Sequence, residues 1–290
     1  MAITCKRHNL AQDTFNLITM PWTNEHLNWL HNTGELITIS SGENVPVYEF
    51  AYDVADEEVM SHWARHFRNH YCSDAEIEVL KPVGMTNSEY LLNLKFPHKS
   101  EGFGPRIRAG DFAEILVADY LTFLQEFYVP RTRYDRKIIG NESSKGSDVL
   151  GFKQKGDNPS SKDELIIYEV KARLSENNAQ NTLQTAIDDS SKDEARLAES
   201  LNGAKQRLYD KNDFAGMSII SRFQQNVDYP YKTKFGAAAV LTDSSCSVEA
   251  LAETSTQEHL SKTKLEMIVI RGPVLMSLVH SLYERAANEA

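Results

Sequence analysis

The spacing of apolar residues changes period several times along this 290-residue chain, and each change predicts an element. From Leu36 to Tyr52 two alternating β-prone runs flank a Ser41-Gly-Glu-Asn turn, the pattern of a β-hairpin. Val59, Trp63, Phe67 and Tyr71 then recur every four residues, which predicts a helix over 56–71 with one apolar stripe. Tyr90 to Phe96 reads as a further strand, ended by Pro97. The stretch from Pro97 to Pro105 holds Lys, Ser and two glycines and is the best boundary in the chain. The expected division is a small α/β domain over 1–100, with partner docking as its role, and a larger domain over 105–290.

The larger domain is more sharply patterned. Phe112, Ile115, Leu116, Tyr120, Phe123 and Phe127 give a helix over Ala109–Phe127 a wide apolar face, and Pro130 ends it. Val129–Ile139 reads as a strand with charged alternate positions, and Ser147–Lys153 as a short one. Leu165–Ala172 is apolar enough to be a strand buried on both faces. Residues 183–226 are helix-rich, with breaks expected near Ser190-Ser191 and Asn202-Gly203. Phe235–Thr242 and Leu265–Ile270 are two more buried strands, and an amphipathic helix runs from Pro273 to Ala287. The predicted class is α/β (α+β in detail), a mixed sheet flanked by helices.

Glu169 and Lys171 stand two apart on the most apolar of these strands, so both side chains leave one face while Val170 faces the other way. Buried charges of this kind need a partner or a metal, and a salt bridge at a strand end would satisfy them. Asp148 changes that balance. It opens the preceding strand, and two antiparallel neighbours would set Asp148 beside Glu169, within reach of one cation. Two such carboxylates repel unless positive charge lies between them. Mg²⁺, with Mn²⁺ as substitute, suits an all-oxygen set to which the Val170 carbonyl could add a third protein ligand. Glu114, at the edge of the apolar face of the preceding helix, could hold metal-bound water or a second ion. Such a site activates water and neutralises a phosphate, while Lys171 would orient or deprotonate the attacking water.

Asp148, then Glu169-Val170-Lys171, with an acid on the helix before them, resembles the PD-(D/E)xK nuclease superfamily, as does the αβββαβ order. Ser147 stands where the superfamily's name has proline, and Gln206 and Tyr209 are one residue too close for its Gln-x-x-x-Tyr motif. Gly110-Asp-Phe-Ala-Glu-Ile-Leu, Pro130-Arg-Thr-Arg-Tyr, Lys145-Gly-Ser-Asp-Val-Leu-Gly and Tyr168-Glu-Val-Lys are similar to the HamA family, nuclease subunits of the bacterial Hachiman antiphage system. That resemblance covers about residues 105–175. It implies a Mg²⁺-dependent, indiscriminate DNA endonuclease, restrained and supplied with DNA by a superfamily 2 helicase (HamB). It also implies Asp148, Glu169, Lys171 and Glu114 as the catalytic set.

Charge qualifies this picture. With 41 acidic against 31 basic residues, a net charge of -10 and a pI near 5.4, the chain as a whole repels DNA. Between 105 and 155 the balance reverses through Arg106, Arg108, Arg131, Arg133, Arg136, Lys137, Lys145, Lys153 and Lys155. Of these, Arg131, Arg133 and Lys145 are the expected phosphate contacts. The rival readings are a non-catalytic nuclease-fold subunit for DNA sensing or assembly, and a nuclease acting alone. Absence of an apolar run near 20 residues and of a signal-peptide core leads us to expect a cytoplasmic chain away from membranes. Cys5, Cys72 and Cys246 suit neither a disulfide framework nor a CxxC metal site. His62, His66 and His70 repeat every four residues and are expected on a solvated or partner-facing helix edge. The acidic run Asp188 to Glu194, balanced by Lys192 and Arg196, reads as an exposed surface.

Overall fold

A computed structural model describes residues 22–175 and 181–290; Cys5 lies outside them. Its frame is one six-stranded sheet in the order β1-β2-β6-β5-β4-β3. The strands are β1 (Leu30–Thr38), β2 (Asn44–Phe50), β3 (Val149–Lys153), β4 (Glu164–Arg173), β5 (Lys232–Thr242) and β6 (Leu265–Gly272). β4, β5, β6 and β2 run parallel, and an antiparallel strand closes each edge, β3 on β4 and β1 on β2.

Helices cover both faces. On one lie α1 (Glu57–Asn69), α4 (Gly104–Asp119, continued by a π turn over Tyr120–Leu124) and α9 (Leu275–Asn288). Trp63, Phe67, Phe112, Leu116, Leu278 and Leu282 of these helices meet Ile166, Tyr168, Val170, Ala238 and Ile270 of the sheet. The opposite face takes α5 (Thr182–Ser190), α6 (Asp193–Asp210), α7 (Phe214–Phe223) and α8 (Val248–Ala252). Period-2 alternation in β4 divides the layers: Leu165 and Ile167 pack towards α6 and α7, and their neighbours Ile166 and Tyr168 towards α4. Gly236 of β5 is glycine for a steric reason, since a Cβ there would come within 2.5 Å of the Tyr168 ring.

The hairpin, the helix over 57–69, the buried strands and the closing helix stand where the periodicity put them. Four expectations are corrected. Pro97–Pro105 does not separate one core from another: β2 pairs with β6 through Val47, Tyr48 and Glu49, and α1 packs beside α9 and α4. Tyr90–Phe96 is helical, because Thr86 and Glu89 form a capping box that opens α3 (Asn87–Tyr90), and a π turn over Leu91–Lys95 carries it on. α2 (Asp74–Leu80) precedes it. Val129–Ile139 is not a strand; one bridge, Tyr128 to Phe152, precedes irregular chain whose Arg131, Arg133 and Tyr134 turn to acids on α4. Pro130, lacking an N–H, cannot continue a ladder there. Finally, α6 runs unbroken through Asn202-Gly203.

Candidate active site

Register brings the sequence motif together. Val149 is paired with Tyr168, so Asp148, one residue before β3, comes opposite Glu169. Leu150, Phe152, Leu165 and Ile167 face α6 and α7; Asp148, Glu169 and Lys171 share their parity and leave the same face. Asp148 Oδ2 accepts the Val170 N–H at 2.9 Å. Val170 lies past the last β3 partner, and a strand residue's carbonyl leaves on the same edge as its N–H, so the expected main-chain oxygen is directed to the Asp148 side.

The acids are answered by the chain's own cations. Lys171 Nζ donates to Glu169 Oε1 at 2.6 Å and also meets Asp189 Oδ2 of α5 at 2.9 Å. Arg133 lies between Glu114 and Asp148, with Nε 2.5 Å from Glu114 Oε2 and Nη2 2.6 Å from Asp148 Oδ1. Its Nη1 donates to the Ser147 carbonyl at 2.6 Å, and the Tyr134 hydroxyl donates to Glu114. Side chains of Arg133, Glu114 and Asp148 are only 14, 14 and 10 % exposed, so these pairs are shielded from water.

Burial pushes the Glu169 carboxyl up to about 7, and the neighbouring Asp148 charge adds to it, against the pull of Lys171. Burial likewise raises Glu114 to about 8, despite Arg133, with Asp148 and Asp111 contributing repulsion. For Lys171 burial acts downward, but the hydrogen bonds and charge of Glu169 and Asp189 outweigh it and hold the ammonium protonated above its usual range. Burial and the Asp148 charge therefore keep Glu169 and Glu114 raised even with Lys171 and Arg133 beside them. Hard oxygen donors in that condition fit Mg²⁺ or Mn²⁺, with Asp148, Glu169, the Val170 carbonyl and Glu114 as the residues that would hold the ion. In this conformation Arg133 and Lys171 stand among these carboxylates.

Among the described residues, the three acid or histidine side chains whose ligand atoms all lie within 4.8 Å of one another are instead His26, His66 and Asp119, each fully buried. This corrects the solvated histidine edge, since of the three only His62 is exposed, paired with Glu25. His66 Nδ1 accepts the Thr23 N–H, which leaves the proton on Nε2 to donate to Asp119 at 3.0 Å. Burial lowers His66 to about 4, so it is neutral. Asp119 also takes His26 Nε2 at 2.9 Å and Arg131 Nη1 at 2.5 Å, and His70 Nε2 meets Arg131 at 2.9 Å. This tautomer and the guanidinium make the cluster a hydrogen-bonded anchor for the 129–134 segment.

Of the expected phosphate contacts, Arg131 is thus turned inward and Arg133 is held by two acids, whereas Lys145 is exposed. A cleft of about 280 Å³ beside Asp148 is lined by Arg133 and Lys145 on one wall and by α6 on the other. Glu169 and Lys171 do not line it; they lie under Asp189 and Arg196 at the α5–α6 junction. The acidic run over 188–194 is therefore no simple exposed surface. Asp189 holds Lys171, and fully buried Asp193 accepts from Ser147 Oγ at 2.9 Å, with burial raising its carboxyl. Asp189 lies in the last turn of α5 and Asp193 opens α6, so no single helical period relates them in the sequence.

No curated protein matches the chain. Among the described residues no helix is long and apolar enough to cross a membrane. The HamA family model matches residues 24–286, a span that takes in the whole sheet, Glu114, Asp148 and the Glu169-Val170-Lys171 strand. The chain belongs to the HamA family, and so to the proteins of Hachiman antiviral defence.

Proposed function

We propose that the chain is a Mg²⁺-dependent DNA endonuclease subunit, hydrolysing phosphodiester bonds without strong sequence preference and supplied with DNA by a superfamily 2 helicase. The observation that carries this reading is the antiparallel register that sets Asp148 beside Glu169 with Lys171 on the same face. Mg²⁺ bound there would supply a nucleophilic water and neutralise phosphate charge. Asp148 and Glu169 would bind and orient it. Lys171, held protonated, is suited to steady the attacking water and the phosphate rather than to remove a proton. Arg133 holds Asp148 and Glu114 in this conformation and can pass its charge to an incoming phosphate.

The test is cleavage of plasmid by the protein with Mg²⁺, with and without its helicase. Asp148→Ala and Lys171→Ala should each lower cleavage by at least about 100-fold; cleavage that survives either substitution removes the site assignment. One observation favours a second reading, a non-catalytic subunit for DNA sensing or assembly: every acid of the set already has a cation or donor from its own chain. Intact helicase binding with no cleavage under any condition would select it.

A further inference from the structure

We infer that the cleft face of α6 is a track for the phosphates of one nucleic-acid strand, running past Asp148 between Arg196 and Arg207. The inference rests on the nuclease reading and names how that site would grip its substrate. Arg196, Ser200, Gly203 and Arg207 all line the cleft. Their spacing of 4, 3 and 4 residues keeps them on one helical face, and eleven residues at 1.5 Å each set the arginines about 16 Å apart. At 3.4 Å of axis per phosphate on a stacked strand, that distance spans roughly four or five phosphates.

Three observations point to a ligand rather than to internal packing. First, Arg207 on α6 and Lys145 on the facing wall have no ion-pair partner among the described residues, in a chain carrying ten more acids than bases. Second, Arg196 reaches Asp193 at 3.2 Å and Glu169 at 3.9 Å, yet its side chain stays 39 % exposed where it lines the cleft. Third, Gly203 sits in the middle of an unbroken helix, where glycine is less favourable than alanine. A Cβ there would meet only Arg207 Nη1, at 4.0 Å, so no neighbour in the chain requires the glycine. Its effect is to leave the helix surface bare between two guanidinium groups, where a backbone can come close.

The measurement is fluorescence anisotropy of the full chain with labelled oligonucleotides at low salt in EDTA, which separates binding from metal chemistry. Single-stranded DNA, duplex DNA and single-stranded RNA are the probes. The expected affinity for single-stranded DNA is in the 10⁻⁴–10⁻⁶ M range of non-specific binding. Arg207→Ala should weaken it about tenfold and reduce the salt slope by about 0.7, the value for one lost single-strand phosphate contact. Gly203→Leu, which changes no charge and raises helix propensity, should weaken it comparably by filling the track. Lys205→Ala, which removes a cation of α6 that does not line the cleft, should leave it unchanged. Equal binding by wild type, Arg207→Ala and Gly203→Leu, no binding by wild type, or tighter binding of duplex than of single strands overturns the track. Loss of binding in Arg207→Ala alongside cleavage surviving in Asp148→Ala would sink the active-site assignment and leave the track standing.

Discussion

Arg133 offers the sharpest test of how the acids are held. Replacing it with Met keeps much of the side-chain volume but withdraws the guanidinium that lies 2.5 Å from Glu114 and 2.6 Å from Asp148. All three side chains are at least 86 % shielded, so surface screening is slight. Breaking a buried pair by removing one partner costs about 3–5 kcal/mol, which for a chain of this size lowers Tm by on the order of 10 °C. Mg²⁺ should then return some of that loss. At a hundredfold excess over Kd, a ligand that binds only the folded state contributes about 2.7 kcal/mol. In the wild type the ion must first displace a guanidinium from Asp148, so its apparent affinity is reduced, tenfold for each 1.4 kcal/mol of displacement. The assay is thermal unfolding of both proteins over a Mg²⁺ titration, with Ca²⁺ as comparison ion. Arg133→Met should begin lower and gain more from Mg²⁺ at lower concentration. An equal or smaller Mg²⁺ shift in the variant refutes the idea that guanidinium and metal share these acids.

Other outcomes follow from the same geometry. Calorimetric Mg²⁺ affinity should rise from pH 6 to pH 8, because Glu169 and Glu114, raised to about 7 and about 8, must lose their protons to become ligands. In the metal-free protein these two carboxyls act oppositely: between pH 4.5 and 8 they keep protons that the unfolded state has lost, so their contribution to stability is full below 4.5 and declines as pH rises, whereas buried His66, lowered to about 4, contributes the reverse trend up to its unfolded value. Urea-denaturation series in which Glu169→Gln and Glu114→Gln leave the slope of stability against pH the same as in the wild type contradict the burial argument. Asp119→Asn should cost about 3–5 kcal/mol, since Arg131 and two histidines lose a buried anion, while Mg²⁺ affinity stays within about twofold if this cluster is an anchor and no metal centre.

What could be read from the sequence was what local periodicity encodes. A strand's alternation fixes which residues share a face, so Glu169 and Lys171 were placed together with no knowledge of the fold. One short connection then made the antiparallel pairing of Asp148 with Glu169 foreseeable. Long-range partners were not foreseeable. His26 and His66 are 93 and 53 residues from Asp119, and no spacing rule relates them, so buried histidines passed for a solvated edge. The pairing of β2 with β6 joins positions more than two hundred residues apart, which made a hairpin within the main sheet look like a separate domain. At Tyr90–Phe96, β-prone residues suggested a strand, but a capping box a few residues earlier set the backbone to helix. At Val129–Ile139 alternating charges mimicked a strand. Those charges alternate because Arg131 and Arg133 serve two different acids of α4.

The inward turn of these arginines bears on how DNA is reached. The nine cations counted between 105 and 155 suggest a basic surface, yet several are consumed inside the fold: Arg131 by Asp119, Arg133 by Glu114 and Asp148, Lys137 by Asp111, and Arg108 by the Pro97 carbonyl. A cation paired with a buried carboxylate adds almost nothing to the potential that a polyanion meets outside. The net charge of -10 is consequently closer to what DNA would encounter than the local count implies. Among the described residues, Lys145 and Arg207 are the cleft-lining cations without an ion pair, and so small a number limits how many counterions binding at the cleft can release, and hence the affinity it reaches alone. A helicase partner that grips the strand would remove that limit, because a tethered strand meets the cleft at high effective concentration and needs only weak local contacts to pass Asp148.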